Sequence, residues 1–193
     1  AFTRGKITTL PSAGTLTVDG IAVNAGEFVA PNPAAIPAGA TWTPRDTSRQ
    51  WWAVASSADG SKLVAIEQSG YIYTSTDSGA SWTQRNQYYP SDWRGVASSA
   101  DGSKLVAVAV THQIHTSTDS GVTWEAREPI GDKAWAASSA DGSRLVVVVY
   151  GWRIYTSSDS GATWTLRDSY RGWWTVASSA DGNKLIAAEY DGH

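Results

Sequence analysis

The chain has 193 residues, 41% of them apolar and 17% charged, with a net charge of −3. That length suits one domain with a real core, or one domain plus a small appendage. The mild acidity and the lack of any Lys/Arg cluster exclude an electrostatic nucleic-acid footprint, and no run approaches the roughly 18 unbroken apolar residues of a membrane span. Cysteine is absent, which removes disulfides, thiolate zinc sites and cysteine nucleophiles together. Methionine is absent even at position 1, and no charged-then-apolar leader opens the chain, so a processed or trimmed product is expected. Eleven tryptophans stand against two phenylalanines. The fold wants indole.

Residues 1–40 are expected to form a short β-extension ahead of a larger unit over residues 41–193. Their "KITTLPSAGTLTVDGIAVNAGEF" carries Leu10-Pro11, Gly14-Thr15-Leu16-Thr17 and Ala22-Val23, with turns at Gly20 and Gly26. The pattern resembles the short β-repeats of giant bacterial adhesins and cadherin-like surface proteins. That resemblance implies an extracellular or cell-surface setting, bacterial or phage-borne.

Beyond it the chain repeats. "ASSADGSKLVA" at Ala55 returns at Ala97, Ala137 and Ala177 with small changes, and Asp59, Asp101, Asp141 and Asp181 are spaced by 42, 40 and 40 residues. A period in this range marks a repeat architecture. Within one copy, "WWAVASS" reaches an Asp-Gly pair suited to a tight hairpin turn. "KLVAIE" follows, apolar at successive positions as in a strand covered on both faces. "YIYTS" is a third strand, and "STDSGASW" turns the chain into a fourth, "SWTQR". Four short strands in about forty residues, stacked through both faces, describe an all-β propeller blade. No stretch holds a helical period.

The third turn recurs as Ser75, Asp77, Gly79 and Trp82, as Ser117, Asp119, Gly121 and Trp124, and as Ser157, Asp159, Gly161 and Trp164. Glycine supplies positive φ, the aspartate accepts from its own turn's amides, and the tryptophan folds back as an anchor. A buried indole covers on the order of 150–250 Å², roughly 4–6 kcal/mol at about 25 cal/mol/Å². This Ser/Thr-x-Asp-x-Gly-x-x-Trp pattern resembles the Asp-box, or BNR, repeat of the Ycf48-like and sortilin-like groups. The resemblance covers roughly residues 41–190. It implies that the twelve motif residues are structural and lie at the blade periphery. About four blades are expected. The fourth copy stops after two strands, while "GATWTPRD" (Gly39 to Asp46) matches "GATWTLRD" (Gly161 to Asp168) in seven of eight positions. Strands at Thr41–Arg45 and Glu27–Pro31 would close the ring by pairing the chain's two ends. An open arc completed by another protomer is the alternative, so homo-oligomerisation stays open.

Chemistry is sparse. The repeated arginines Arg45, Arg85, Arg127 and Arg167 suit a rim better than a convergent sialidase-like cluster, and no pair among Glu67, Asp92, Glu125, Glu128, Asp132 and Glu189 stands out for glycosidase work. His112 and His115 point to opposite faces of one strand, His193 is terminal, and each Asp-Gly turn offers one carboxylate where calcium wants several oxygens. No catalytic residue, metal or cofactor is expected. The starts of the first strands do vary: "SRQWWAVASS", "PSDWRGVASS", "GDKAWAASS" and "YRGWWTVASS". Trp51, Trp52, Trp93, Trp135, Trp173 and Trp174, with Tyr89 and Tyr170 in the preceding loops, are the candidate ligand contacts, because variable loops on a rigid frame carry binding. Packing between blades is the competing role, and one member of each Trp-Trp pair is expected to be exposed.

The sequence therefore favours a non-catalytic extracellular recognition or adhesion module that binds glycan or surface protein, without membrane insertion. The alternatives are a structural subunit of a surface filament, sheath or virion appendage, an assembly factor of the Ycf48-like kind, and, least favoured, a fragment of a glycosidase-type Asp-box enzyme.

Overall fold

A computed structural model describes residues 17–18, 21–22, 49–85, 91–110, 113–129 and 134–190. The chain divides into two units, Ala1–Pro44 and Arg45–His193. In the first, β1 (Thr17–Val18) and β2 (Ile21–Ala22) form a short antiparallel ladder, Thr17 opposite Ala22. The strands expected at Glu27–Pro31 and Thr41–Arg45 lie outside the described residues.

Among its described residues the second unit's regular elements are all strands. β3 (Trp51–Ser56), β4 (Leu63–Glu67), β5 (Ile72–Ser75) and β6 (Thr83–Arg85) make one antiparallel sheet in chain order. β7 (Trp93–Ser98), β8 (Leu105–Ala109), β9 (Gln113–Ser117) and β10 (Glu125–Pro129) make the next. The third holds β11 (Ala134–Ser138), β12 (Leu145–Ser157), β13 (Thr165–Ser178) and β14 (Leu185–Glu189).

This third sheet carries more than one repeat. The first limb of β12 pairs with β11, Leu145 opposite Ser138, while its second limb pairs with β13, Thr156 opposite Thr165. Gly151 between the limbs has φ +69° and lets the chain turn without leaving extended pairing. β13 likewise serves two repeats, because its latter half, Trp173 to Ser178, pairs with β14. Three complete four-stranded repeats and the inner half of a fourth result.

Each first strand lies against the next, β3 on β7, β7 on β11 and β11 on β13. One hydrogen-bonded chain stitches their ends: Ala58 N–H donates to Ala100 O, Ala100 N–H to Ala140 O, and Ala140 N–H to Ala180 O, each at 2.7 Å. The adjoining inner turn is a four-residue loop closed by Ser57 N–H to Lys62 O at 2.8 Å. Only its glycine, Gly60, takes positive φ. Asp59 acts as a staple, accepting from Ser57 Oγ at 2.6 Å and Ser61 N–H at 3.0 Å. Asp101, Asp141 and Asp181 repeat it.

The core lies between sheets. On β8, Leu105, Ala107 and Ala109 join Val64, Ile66 and Ile72 of the first sheet, while Val106 and Val108 join Val147 and Val149 of the third. Alternate residues of one strand thus serve opposite interfaces, the reason for its unbroken apolar run.

Candidate recognition surface

In an antiparallel meander, the inner turns and the turns between strands three and four share one end of the sheet. The starts of the first strands and the turns between strands two and three share the other. The two ends are built differently.

At the first end the outer turn closes on itself. Ser75 Oγ donates to Asp77 Oδ1 at 2.7 Å and accepts from Gly79 N–H at 2.8 Å. Asp77 also accepts from Ser81 N–H at 2.9 Å and Ser81 Oγ at 2.6 Å. Ser117, Asp119, Gly121 and Thr123 repeat the network, as do Ser157, Asp159, Gly161 and Thr163. Hydrogen bonds, led by that of Ser81 on Asp77 and of Thr163 on Asp159, hold both carboxylates down at about 2. At Asp119 burial pushes upward but is outweighed by the bonds from Thr123 and Ser117, and the carboxyl stays below its ordinary range. Trp124 Nε1 donates to Gly121 O at 3.1 Å and Trp164 Nε1 to Gly161 O at 3.0 Å, and both rings pack into the interface with the preceding sheet. Each outer arginine, Arg85, Arg127 or Arg167, donates Nε to the third-strand threonine, Thr74, Thr116 or Thr156. These groups saturate one another around the rim.

At the opposite end a register shift recurs in the first strands, between Trp51 and Ala53, Trp93 and Gly95, and Trp173 and Thr175. A bulge of this kind re-aims one side chain. Trp93 and Trp173 turn inward and are buried, and Trp51 is half-buried against Tyr73, ring centroids 5.2 Å apart. The bulged residues Trp52, Arg94 and Trp174 turn outward. Trp52 is 47% exposed and Trp174 42%. The third repeat lacks the shift: Ala134 takes the inward slot opposite Val149, and Trp135 pairs opposite Val148.

The outward residues gather into a band. The Arg94 guanidinium sits 4.7 Å over the Trp52 ring, while Trp52 Nε1 donates to Arg94 O at 3.1 Å and Asp92 pairs with Arg94 at 2.7 Å. Gly95 permits the next step, since a Cβ there would lie 3.1 Å from Trp135 Cα. Trp135 meets Trp174 with centroids 4.8 Å apart, and Trp174 meets Tyr190 at 4.9 Å and Tyr150 at 6.2 Å. Trp152 and Tyr170 form a second pair at 4.7 Å, with Arg153 over Tyr170 at 4.9 Å.

Of the candidate contacts, Trp52, Trp135, Trp174 and Tyr170 therefore lie at this surface, whereas Trp51, Trp93 and Trp173 pack inward. Tyr89, Asp132, His112 and His193 lie outside the described residues. Arg94, Tyr150, Trp152 and Tyr190 escaped the sequence reading. The signal for two of them was present: Tyr150 and Trp152 flank the glycine of "VVYGWRIY", a turn hidden inside an apolar run. His115 is buried against Trp93 at 5.1 Å, in the slot that Tyr73 and Tyr155 fill elsewhere, and burial pushes its imidazole down to about 4. Among the described residues no three His, Asp or Glu side chains gather to hold a metal ion.

Solved structures give the fold its name. YCF48 from Cyanidioschyzon merolae matches with a TM-score of 0.56 at 17% identity, over 77% of this chain and 53% of that one. A YCF48 bound to a D1 peptide matches at 0.54 and 15%, over 76% and 52%. The GH74 enzyme of Niastella koreensis matches at 0.52 and 25%, over 73% and 20%. The fold is that of a β-propeller. Its four-stranded repeats are the blades, and the chain spans about half the length of the YCF48 structures and a fifth of the GH74 enzyme. No family model and no curated protein matches the chain.

Proposed function

We propose that the propeller is a non-catalytic extracellular recognition module, bacterial or phage-borne, whose aromatic band binds glycan or a surface protein. The observation that carries this reading is the exposure of Trp52, Trp174 and Tyr190 on a frame whose equivalent inward tryptophans are buried. Indole faces stack on the apolar faces of sugar rings or on peptide side chains, and Arg94 and Arg153 add fixed charge beside them. The outer turns are read as Asp-boxes with a structural role, supported by aspartates whose acceptor capacity is spent on their own turns. The adhesin-like segment before residue 41 supports the extracellular setting.

A second reading has a specific observation behind it. One structural neighbour, a YCF48, holds a D1 peptide, and an assembly factor that grips an extended peptide through the same band is the Ycf48-like alternative. A glycan array run beside a peptide array separates the two. Trp52→Ala and Trp174→Ala should abolish binding to the positive array while leaving the unfolding midpoint in place. A chain that binds neither array, or binds equally well without both indoles, sinks the proposal.

A further inference from the structure

Among the described residues, every arginine except Arg153 has a polar partner. The rim arginines bond to threonines, Arg94 and Arg171 pair with Asp92 and Glu189, and Arg49 and Arg144 donate to Tyr73 and Asn183. Arg153 has no ion pair and no hydrogen bond among the described residues, and its buried Nε meets no acceptor. Its terminal nitrogens are not enclosed with Nε. The cation therefore faces solvent with its charge unneutralised.

The fold holds that charge in place. Trp152 stands opposite Arg171 and Ile154 opposite Arg167, so the one residue between them on β12, Arg153, faces three on β13, Asp168 to Tyr170. The extra residues loop out through Asp168, whose φ is +53° and whose Oδ1 accepts from Ser169 N–H at 2.7 Å. A bulge re-aims the side chains beside it. Here it lays the Tyr170 ring against Arg153, guanidinium carbon 4.9 Å from the ring centroid. Trp152 meets Tyr170 edge to face, and its Nε1 is fixed on the hydroxyl of the buried Tyr155 at 3.2 Å. Trp152 is nevertheless 41% exposed and Tyr170 55%. All of these residues lie on β12 and β13, away from both ends of the chain.

We propose that Arg153, Trp152 and Tyr170 form a subsite for an acidic sugar, a pyranose that bears carboxylate or sulfate. The inference rests on the recognition reading above and narrows its glycan arm. The sugar's C–H face covers exposed aromatic surface while its anion takes paired N–H bonds from the guanidinium, the geometry that arginine offers to oxyanions. Stacking on Tyr170 orders the guanidinium beforehand, so less freedom is lost on binding. An acidic peptide fits less well, because an extended peptide adds to an open strand edge. Beside the subsite β13 is paired on both sides, with Gly172 opposite Tyr150 and its carbonyl accepting from Tyr190 N–H at 2.8 Å. Arg94 is no substitute, since Asp92 neutralises it at 2.7 Å.

Matched neutral, hexuronate-containing and O-sulfated oligosaccharides, with a glutamate-rich peptide beside them, titrated calorimetrically into the full chain, test this. At least one acidic sugar is expected to bind tenfold or more tightly than its neutral counterpart, and the two acidic arms show which anion is preferred. Arg153→Gln should erase the preference, and Arg153→Lys should lower it severalfold, because an ammonium lacks the paired N–H groups. Arg85→Gln, the same loss of charge on the rim of the first blade, should leave it intact. Arg153 forms no hydrogen bond in the fold, so its variants should keep the circular dichroism and unfolding midpoint. Should Arg153→Gln fail to fold, Tyr170→Ala, whose ring is mostly in water, should weaken the same preference. Equal binding of neutral and acidic sugars overturns the inference and leaves the glycan reading of the band standing. A preference that survives Arg153→Gln overturns it as well. Binding of the glutamate-rich peptide alone assigns the charge to a protein partner and overturns it, and no binding of any probe sinks it together with the reading beneath it.

Discussion

The second blade and the half-blade of the fourth repeat have nearly the same words and opposite surroundings. "ASSADGSKLVA" and "ASSADGNKLIA" form the same two strands around the same stapled turn. Yet every residue of β8 is buried, while Ile186 on β14 is 70% exposed against 0% for its counterpart Val106. Local hydrogen bonds therefore determine the hairpin, and neighbours determine its burial. In a repeat array, stability is a sum over interfaces more than over repeats. A strand apolar on both faces states a demand for two neighbours.

The sharpest way to break the comparison is to delete the same side chain twice. Leu105→Ala should cost about 2–5 kcal/mol, the range for a large side chain lost from a closed core. Leu185→Ala should cost under about 1 kcal/mol, because nearly half of that side chain already meets water. Urea unfolding of the two variants reads the difference, and equal costs would mean that the fourth repeat is covered in solution.

Acid stability follows next. His115, buried at 3% exposure, is held down to about 4 from an ordinary 6.5. A group with a depressed folded value contributes stability that is complete above its unfolded value and is lost as pH falls toward its folded one. The protein should lose roughly 3 kcal/mol between pH 6.5 and 4 from this residue. His115→Tyr, which restores the residue that the first and third blades carry in that slot, should flatten this window. Both forms should share a second loss between 3.8 and about 2, where Asp59, Asp77, Asp159 and Asp181 take up protons and release their turns. Unfolding followed by tryptophan fluorescence from pH 7 down to about 2 checks the sign and both windows.

The outer glycines sharpen the comparison further. Gly79 and Gly161 have nearly the same φ, +83° and +85°, so replacement by alanine costs each the same backbone strain. Gly161 also faces a preceding blade's threonine, at 2.5 Å, whereas the nearest described neighbours of Gly79 are Leu63 at 3.2 Å and its own tryptophan. Gly161→Ala should be worse than Gly79→Ala by roughly 1–3 kcal/mol, the scale of overpacking. Equal penalties would show that positive φ alone explains the motif.

These pairs mark what was legible in the sequence. The period, the four strands, the stapled turns and the two-faced burial of the second strands all follow from residue identity and spacing. What the spacing hid was relational. A glycine needed for positive φ looks the same whether or not a neighbouring threonine also requires it. The outward turn of Trp52 and Trp174 comes from a bulge, which is a property of pairing between strands that no single strand declares. The third blade lost its bulge, so Trp135 shifted by one place and Ala134 took the indole's slot. Gly151 in a valine-rich run turned one apparent strand into two limbs.

The smallest stability effect is expected where the functional one is largest. Trp52 and Trp174 are bulged outward and keep over two-fifths of their surface in water, so truncation to alanine forfeits one hydrogen bond or a few ring contacts. Each should shift stability by about 1 kcal/mol or less. Trp93→Ala, on the inward side of the same bulge, removes a ring that is 3% exposed and bonded to Gly70 O at 3.2 Å, and should cost about 3–5 kcal/mol. Thermal melts of the three variants order them. If the outward pair proved as costly as Trp93, the band would be a structural seam between blades, and recognition would have to be sought in the variable loops that precede it.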